Sequence, residues 1–252
     1  MKRLYNLMLR AGWLVGLILF ALAWYAVSAA GLVTEKVLPS PQSVLTKFVE
    51  DVVSAQVWQN IGITLQAWFL AVPIGYACGV SIAFALIAVP QVQRAIHPYL
   101  VLGNSIPRVV LAPVFILALG LGLSSRVALG VSLIVFPVAL GVYGGFKLCE
   151  PALLNSVAMF GADRRAQWLH VRLPAALPYL VSNWRLAASL GLLGAIVGEI
   201  LIAPNGLGWL IRIRSGVFDV SGVFSVLIII LALAMIVNLT TDAIAARLLR
   251  WQ

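Results

Sequence analysis

The sequence predicts an all-α membrane protein, a polytopic bundle with about six transmembrane helices. Of the 252 residues, 62% are hydrophobic and 10% are charged, whereas soluble domains are about 45–50% apolar and about 25% charged. Apolar runs of about 20 residues recur, and each is long enough to cross about 30 Å of hydrocarbon as a helix. The run from Val226 to Val237 lacks the alternation of period two that membrane strands need, which favours helices over a barrel.

The first predicted span is preceded by basic residues, and its Trp24 and Tyr25 suit the aromatic belt of a membrane interface. A secretory signal cleaved after Ser28-Ala29-Ala30 is the alternative interpretation of this segment. Hydropathy places the six spans at about 11–30, 61–88, 99–122, 127–146, 179–203 and 223–246.

The connector between the first two spans should lie outside the membrane. Leu38-Pro39-Ser40-Pro41 predicts an extended turn, because each proline fixes its own φ and restricts the residue before it. Ser43 is then expected to cap a surface helix from Val44 towards Trp58, with Asp51 on its polar side. No linker or repeat interrupts the sequence, so residues 1–252 are expected to form one transmembrane domain with core spans over about 61–246.

Small residues and prolines inside the spans allow two interpretations. Glycines recur four residues apart, which lets helix backbones approach closely in lipid. Prolines interrupt the hydrogen-bond ladders of four spans and invite kinks. Ordinary helix packing explains both the glycines and the prolines. A bundle that must change between two conformations explains them as well. The residues are Gly75, Gly79, Gly141, Gly145, Gly194, Gly198, Pro73, Pro107, Pro113 and Pro137.

The basic residues predict the orientation. The net charge is +9, which in a membrane protein indicates the cytosolic side rather than nucleic-acid binding. With the N-terminus inside, ten Lys and Arg residues fall in cytosolic segments and five in outer ones. We therefore expect a multi-pass protein of the bacterial inner membrane with both termini in the cytosol. The ten are Lys2, Arg3, Arg10, Arg94, Lys147, Arg164, Arg165, Arg172, Arg247 and Arg250, and the five are Lys36, Lys47, Arg126, Arg212 and Arg214.

A polar loop at 147–178 carries the most informative motif. Gly161 is followed ten residues later by Val171, and after one spacer by Leu173-Pro174. Such a polar segment must face solvent or a partner. It resembles the "EAA" loop of ABC importer permeases, although Asn155-Ser156-Val157 stands where that family has Glu-Ala-Ala.

Three further stretches extend the resemblance over almost the whole chain, in order. They are Leu38 to Pro41, Ser105 to Gly122, and Gly198 to Gly208, and they are similar to the nitrate, sulfonate, taurine and pyrimidine-precursor branch of these permeases. The resemblance implies a type I importer bundle, a homodimer with the path at its interface, two cytosolic ATP-binding subunits and an external solute-binding protein. It implies a small, anionic solute as the substrate.

The resemblance also assigns roles to residues of the loop. Residues before Gly161 are expected to form one short helix and those after it another, which Pro174 ends. An amphipathic helix resting on the bilayer is the alternative. The expected ATPase-docking residues are Asn155, Ala158, Gly161, Ala162, Arg164, Arg165, Trp168, Val171, Leu173 and Pro174.

Ionisable residues inside spans are the candidates for a path or gate, because such groups line pathways or pair with each other. Arg108 suits an anionic substrate, or else caps a kink at Pro107. Glu199 lies near the turn at Pro204 and could pair with Arg212 or Arg214, so Glu199, Trp209 and Arg212 are expected to form an outer gate with Arg108 on the path. Arg185 and Asp242 are expected to be a structural pair or to snorkel.

No phosphate-binding G-x-x-x-x-G-K-[ST] motif, metalloprotease motif or nucleophile motif is present. We therefore expect no catalytic residue, metal ligand or cofactor, and ATP hydrolysis by partner subunits. A stand-alone channel or an ion-coupled carrier remains the alternative function, although a carrier usually shows paired repeats with acidic residues at mid-depth.

Overall fold

The structure is a computed structural model that describes residues 2–31, 33–148, 156–157, 159–201 and 203–248. These ranges contain helices and no strand, which confirms the all-α prediction. A 3₁₀ turn covers Arg108–Leu111, and a π turn covers Trp168–Arg172. The α-helices are α1 (Lys2–Ala29), α2 (Pro41–Val53), α3 (Ala55–Ala88), α4 (Pro90–Ser105), α5 (Ala112–Leu119), α6 (Leu123–Lys147), α7 (Arg164–Gln167), α8 (Leu173–Leu201), α9 (Leu207–Gly216) and α10 (Val220–Leu248).

Four helical stretches in the described part of the chain are long and apolar enough to cross a membrane. They are Ala55–Ala88, Leu123–Lys147, Arg165–Leu201 and Val220–Arg247. A bent pair of helices makes up to five in the described residues, and α1 contains a shorter apolar stretch at Ile18–Ala29, so the expected number of about six fits approximately. The polytopic membrane fold that hydropathy predicts is therefore confirmed.

The third expected span is not one straight helix. Pro90–Ser105 and Arg108–Leu119 meet at an angle of 91°. Pro107 lies at the break, and the residue before it, Ile106, has an extended backbone with ψ 127°. A proline disfavours the helical conformation in its predecessor, which explains why α4 ends there. Pro73 and Pro137 instead lie inside continuous helices.

The chain divides into two compact units, and each is described separately below. One contains Met1–Trp58 and Leu210–Ile230, and the other contains Gln59–Trp209 and Leu231–Gln252. In the second unit α6 packs along α8, around the fully buried side chains of Ile134, Val138 and Val142.

The glycines at four-residue spacing are packing positions. A Cβ at Gly75 or Gly79 would overlap side chains of α6, and one at Gly194 would overlap the backbone of Gly130. A Cβ at Gly145 would overlap the ring of Tyr179. These glycines therefore let helices approach closely, as in other membrane bundles.

The surface helix in the first unit differs from the expectation at its start, its end and its buried face. Ser40 is the N-cap, its Oγ accepting the amide of Ser43 at 3.2 Å, and Pro41 occupies the first helical position. Proline suits that position because its missing N–H has no helical partner there. The helix ends at Val53, and Asp51, expected on the polar side, is only 4% exposed.

Candidate functional site

The polar loop before α8 is built as two short helical segments joined at a glycine, as the sequence predicts. Residues 156–157 and 159 are helical, and the amides of Phe160 and Ala162 bond back onto this turn at 3.3 and 3.2 Å. Gly161 has a φ of +83°, a left-handed conformation that glycine adopts without strain. The glycine therefore ends the first segment.

The second segment starts at a side-chain cap. The Oδ1 atom of Asp163 accepts the amide of Ala166 at 2.7 Å, which satisfies one free N–H at the start of α7. The side-chain nitrogen of Gln167 donates to the carbonyl of Ala162 at 3.1 Å. These two bonds fix the second segment against the glycine turn.

Pro174 does not end this segment, contrary to the expectation. A π turn over Trp168–Arg172 leads directly into α8, and the amide of Leu173 bonds to the carbonyl of Trp168, five residues back. Pro174 is the second residue of α8, where the lack of an N–H is tolerated. The loop is thus continuous with a membrane-spanning helix, so a force on the loop acts on α8.

The aromatic residue expected to reach a partner faces its own chain. The ring of Trp168 lies 5.7 Å from that of Phe146 and 6.1 Å from that of Phe84, between centroids. The guanidinium of Arg172 lies 5.2 Å from the centroid of Trp168. Trp168 therefore positions the loop on the helices instead of projecting from it.

Two apolar side chains that sequence reasoning missed project from the loop. Met159 is 86% exposed and Phe160 is 91% exposed, both directly before Gly161. Adjacent large apolar residues that are exposed at a turn form a patch, and such patches occur where a protein contacts another protein or a membrane. The signal was present in the sequence, as two large apolar residues directly before the polar stretch that begins at Asp163.

The other expected docking residues take varied positions. Arg165 is exposed, whereas Ala162, Val171, Leu173 and Pro174 are half-buried. Asn155, Ala158 and the side chain of Arg164 lie outside the described residues.

A fully buried carboxylate, Glu199, anchors the turn before α9. Its Oε2 atom accepts the hydroxyl of Thr64 at 2.9 Å and the amide of Gly208 at 3.0 Å. The amide of Leu207 donates to the Thr64 hydroxyl at 3.1 Å, and the amide of Gly206 donates to Asn60 Oδ1 at 2.5 Å. A carboxylate at a helix N-terminus is stabilised by the free amides and by the helix dipole. We call Glu199, Thr64, Asn60 and Arg126 the Glu199 cluster.

The charged partner of Glu199 is Arg126, not the expected Arg212 or Arg214. Nη1 of Arg126 lies 3.7 Å from Oε1 of Glu199, and the two side chains are 6% and 0% exposed. Both facing atoms are buried without a hydrogen-bond partner in the described part of the chain. The ion pair is therefore close enough for charge attraction and too long for a hydrogen bond.

Gly206 is required by this arrangement. It has a φ of +105°, and a Cβ there would overlap the carboxyl group of Glu199. Only glycine allows the backbone to approach the carboxylate this closely. The Asn205-Gly206 turn predicted from the sequence is thus also the binding surface for Glu199.

A second buried ion pair, in the first unit, involves Arg214. Its two terminal nitrogens each contact one oxygen of Asp51 at 2.6 Å, and the Ser225 hydroxyl donates to Asp51 Oδ2 at 2.5 Å. Arg214 also donates to the carbonyl of Gly222 at 2.8 Å. We call Asp51, Arg214 and Ser225 the Asp51 clamp. It joins α2 to α9 and to the start of α10.

Arg108 caps the end of a helix. Its Nη2 atom donates to the carbonyl of Gly103 at 3.0 Å and to Asn104 Oδ1 at 3.2 Å, and its Cζ lies 5.0 Å from the ring centroid of Phe136. A cation at a helix C-terminus is stabilised by the free carbonyls. This contact corresponds to the alternative in which Arg108 caps the kink at Pro107.

The remaining path candidates are less enclosed. Trp209 is half-buried in α9, and Arg212 is exposed on the same helix. Arg185 and Asp242 form the expected ion pair, with Nε and Oδ1 2.9 Å apart.

Residues 71–250 match the family described as "Binding-protein-dependent transport system inner membrane component". A "Probable ABC transporter permease protein" of Haemophilus influenzae is 30% identical over 91% of this chain and 92% of its own. The formylaminopyrimidine transport permease protein of Halalkalibacterium halodurans is 28% identical over 90% and 91%. The taurine transport system permease protein of Escherichia coli is 25% identical over 90% and 85%.

Solved structures support the same fold. The inward-facing MetNI methionine ABC transporter aligns with a TM-score of 0.66 at 20% identity, covering 77% of this chain and 96% of that chain. At this level of identity the likeness concerns the fold, and it confirms the type I importer bundle.

Proposed function

Because the chain belongs to the family of inner membrane components of binding-protein-dependent transport systems, we propose that it is the permease subunit of an ATP-driven importer of a small, anionic solute. The exposed pair Met159 and Phe160, on a loop continuous with α8, is the observation that carries the mechanism. A partner that binds this pair can transmit its motion to a membrane-spanning helix.

Two cytosolic ATP-binding subunits dock on the loops of two copies of the chain. Met159 and Phe160 enter the partner's surface, while Gly161 gives the turn that presents them. Arg165 adds a charged contact, and Trp168 holds the loop on α3 and α6. ATP hydrolysis takes place on the partners, and a solute-binding protein delivers the solute from outside.

The transport step needs two states of the bundle that bind the partners differently. Closure of the ATP-binding subunits moves the docked loops, and each loop moves α8. Glu199 lies at the other end of α8, so this motion reaches the turn at Asn205-Gly206. Glu199, Trp209 and Arg212 act as the outer gate in this scheme.

The solute is a small, anionic one such as nitrate or a sulfonate, or taurine, which carries a sulfonate group. Support comes from the taurine permease among the relatives, and the formylaminopyrimidine permease represents another solute class. Arg108 supplies a cation at the break between α4 and α5. Uptake of radiolabelled taurine by cells expressing the whole transporter tests this class directly. Arg108→Gln should lower the uptake and Arg108→Lys should retain part of it, whereas unchanged uptake in Arg108→Gln would remove Arg108 from the path.

Docking is tested by exchanging the exposed aromatic residue of the loop. Phe160→Ala should reduce the amount of ATP-binding subunit that co-purifies with the permease by at least about tenfold, since an anchor side chain contributes about 2 kcal/mol or more. Phe218→Ala is the matched control, because Phe218 is 72% exposed but lies in the turn after α9. Equal co-purification of both variants would contradict the docking role.

Gly161→Arg is a second, independent variant. No atom lies within 4 Å of a Cβ at this position, but a side chain there is strained because of the positive φ and would stand in the partner's surface. We expect normal membrane insertion with loss of transport. Normal co-purification of the ATP-binding subunit would count against this part of the loop.

A further inference from the structure

Four polar side chains form a stripe along the seam between α8 and α10. Arg185 contacts Asp242, with Nε and Oδ1 2.9 Å apart. The Ser189 hydroxyl lies 3.1 Å from Asn238 Oδ1 and 3.2 Å from the carbonyl oxygen of Arg185, and its single proton serves these two acceptors. The residues are four apart on each helix, so the second pair lies one turn beyond the first on the same face.

The stripe is exposed although it belongs to membrane-spanning helices. The side chains of Arg185 and Asp242 are 45% and 58% exposed, and Ser189 and Asn238 are exposed as well. Lipid does not explain this arrangement. A long arginine can extend to the interface, but the short side chains of Ser189 and Asn238 cannot follow it from one turn deeper. Polar groups at this depth face a water-filled cavity or another protein surface.

The ion pair favours water over a second protein surface. Taking two charges out of water costs several kcal/mol per ion unless further hydrogen bonds satisfy them. The 2.9 Å contact between Arg185 and Asp242 uses one nitrogen of a guanidinium group that has five N–H donors. A dry interface would leave the other donors unsatisfied, whereas water or an oxyanion would accept from them.

The donors on the stripe also indicate what it binds. Asn238 uses its side-chain oxygen to accept from Ser189, and its amide nitrogen still carries two N–H donors. Together with the spare N–H groups of Arg185, this gives a donor-rich surface on which the arginine charge is paired with Asp242. Such donors suit the oxygens of a sulfonate, phosphate or carboxylate. Asp242 partly neutralises the arginine, which keeps binding weak enough for release.

We propose that Arg185 and Asn238, with Ser189 holding the Asn238 side chain, form an oxyanion subsite in the water-filled translocation path. The inference rests on the proposed function as a permease, and it adds the place where the anion is held on its way through. The site is separate from Arg108 and from the Glu199 cluster.

Thiol labelling of the complete transporter in membrane vesicles tests this placement. Cys78 and Cys149 are first replaced by serine, and single cysteines are introduced as Ser189→Cys, Asn238→Cys and Leu239→Cys. Leu239 is the matched control, since it is 57% exposed and adjacent to Asn238 but outside the stripe. Thiolates form poorly in hydrocarbon, so a lipid-facing thiol reacts slowly. We expect Ser189→Cys and Asn238→Cys to react with a sulfonate-bearing thiosulfonate at least about tenfold faster than Leu239→Cys.

The charge of Arg185 allows a second test of the proposal. With Arg185 present, a sulfonate-bearing reagent should react with Asn238→Cys faster than a trimethylammonium-bearing one. Arg185→Gln should abolish or reverse that preference. Equal, slow labelling at all three positions would overturn the proposal, and so would a preference that does not depend on Arg185.

Failure of this site can be distinguished from failure of the proposed function. Labelling needs neither ATP nor the partner subunits to turn over, and co-purification of the ATP-binding subunit is measured on the same vesicles. If the cysteines are labelled but no ATP-binding subunit co-purifies, the proposed importer function is overturned, whereas the water-filled path is still supported. A co-purified subunit with unlabelled cysteines would overturn the subsite alone.

Discussion

Glu199 holds the start of α9 with a single side chain. One of its oxygens accepts from Thr64 and Gly208, and the other faces Arg126 without a hydrogen bond. A buried carboxylate needs such partners, because burying it uncompensated would cost several kcal/mol. The contact with Arg126 is therefore the weakest one that Glu199 makes in the cluster, and we expect this contact to break first.

Removing one charge of this pair should be worse than removing both. Glu199→Gln keeps acceptors for Thr64 and Gly208 but leaves Arg126 buried without a counter-charge, at a cost of about 3 kcal/mol. The apparent melting temperature of the purified complex should fall by several degrees. The double variant Glu199→Gln with Arg126→Met should be more stable than Glu199→Gln alone. A double variant that is less stable than Glu199→Gln would show that the attraction between the two charges is not the main contribution to the stability of the cluster.

Gly206 allows a sharper test, because the chain provides a matched control. Gly206→Ala places a Cβ on the carboxyl group of Glu199 at a φ of +105°. We expect a loss of about 2 kcal/mol or more in stability and a loss of transport. At Gly216, the last residue of α9, no atom lies within 4 Å of an added Cβ and φ is not positive, so Gly216→Ala should be tolerated. Similar effects from the two substitutions, measured as melting temperature and uptake, would contradict the packing argument.

At this scale the sequence identifies charged residues in spans but not their partners. Glu199 stands out because an acid inside an apolar run is costly. Thr64, which binds it, is 135 residues away, and no local pattern encodes a contact of that range. The position of the Trp168 ring could not be predicted for the same reason, since the ring packs on Phe84 and Phe146 from other helices.

At the scale of elements, the Asp51 clamp fixes a short helix that buries few of its side chains. Only Val44 and Asp51 of α2 are buried, while Leu45, Val49 and Val53 are more than half exposed. The fork of Arg214 matches both oxygens of Asp51, a geometry that makes arginine–carboxylate pairs strong and directional. The Asp51 clamp is therefore the main polar anchor of α2, beside the contact between the hydroxyls of Ser43 and Ser221 at 3.1 Å.

The clamp should release in acid. Burial alone would raise the pKa of Asp51, but hydrogen bonds from Arg214 and Ser225 outweigh it and hold the pKa below its ordinary value. A lowered pKa in the folded state gives stability above the ordinary aspartate value of about 4, and this stability disappears as the pH falls through the folded pKa. The difference in melting temperature between the unaltered protein and Asp51→Asn should be constant from pH 8 to about pH 5 and shrink below about pH 4.

Glu50→Gln is the control for this measurement. Glu50 lies beside Asp51 in the sequence, but its side chain is 58% exposed and pairs with Lys47. Exposed pairs contribute about 0–1 kcal/mol, so this variant should follow the unaltered protein at every pH. An acid transition of equal size in Asp51→Asn and in the unaltered protein would show that Asp51 does not cause it.

The positions of the helices can be predicted from the sequence where a single physical effect dominates. Hydropathy alone located the long helices, since their length is dictated by the membrane. Helix ends depend on competing local terms, and there the predictions were wrong. Ser40 with Pro41 caps α2 better than Ser43 does, and Pro174 is accommodated by the π turn before it.

At the scale of the whole molecule, the bent pair decides the orientation. If Pro90–Ser105 and Arg108–Leu119 together cross the membrane, the number of crossings is even and both termini lie on the same side. If the 91° bend returns the chain to the side it came from, every later segment is inverted. The docking loop and the turn before α9 would then exchange sides, and a cytosolic partner could not reach Phe160.

We expect the bent pair to cross, with both termini in the cytosol. The excess of basic residues at both ends supports this, ten in the inner segments against five in the outer ones. Alkaline phosphatase, which is active only outside the cytosol, would be fused after Leu121, after Phe218 and after Gln252. The expected result is activity at Leu121 and Phe218 and none at Gln252, since an odd number of crossings separates each of the first two positions from the cytosolic N-terminus. Activity at Gln252 alone would make the bent pair a re-entrant loop, and it would overturn the cytosolic docking loop together with the orientation.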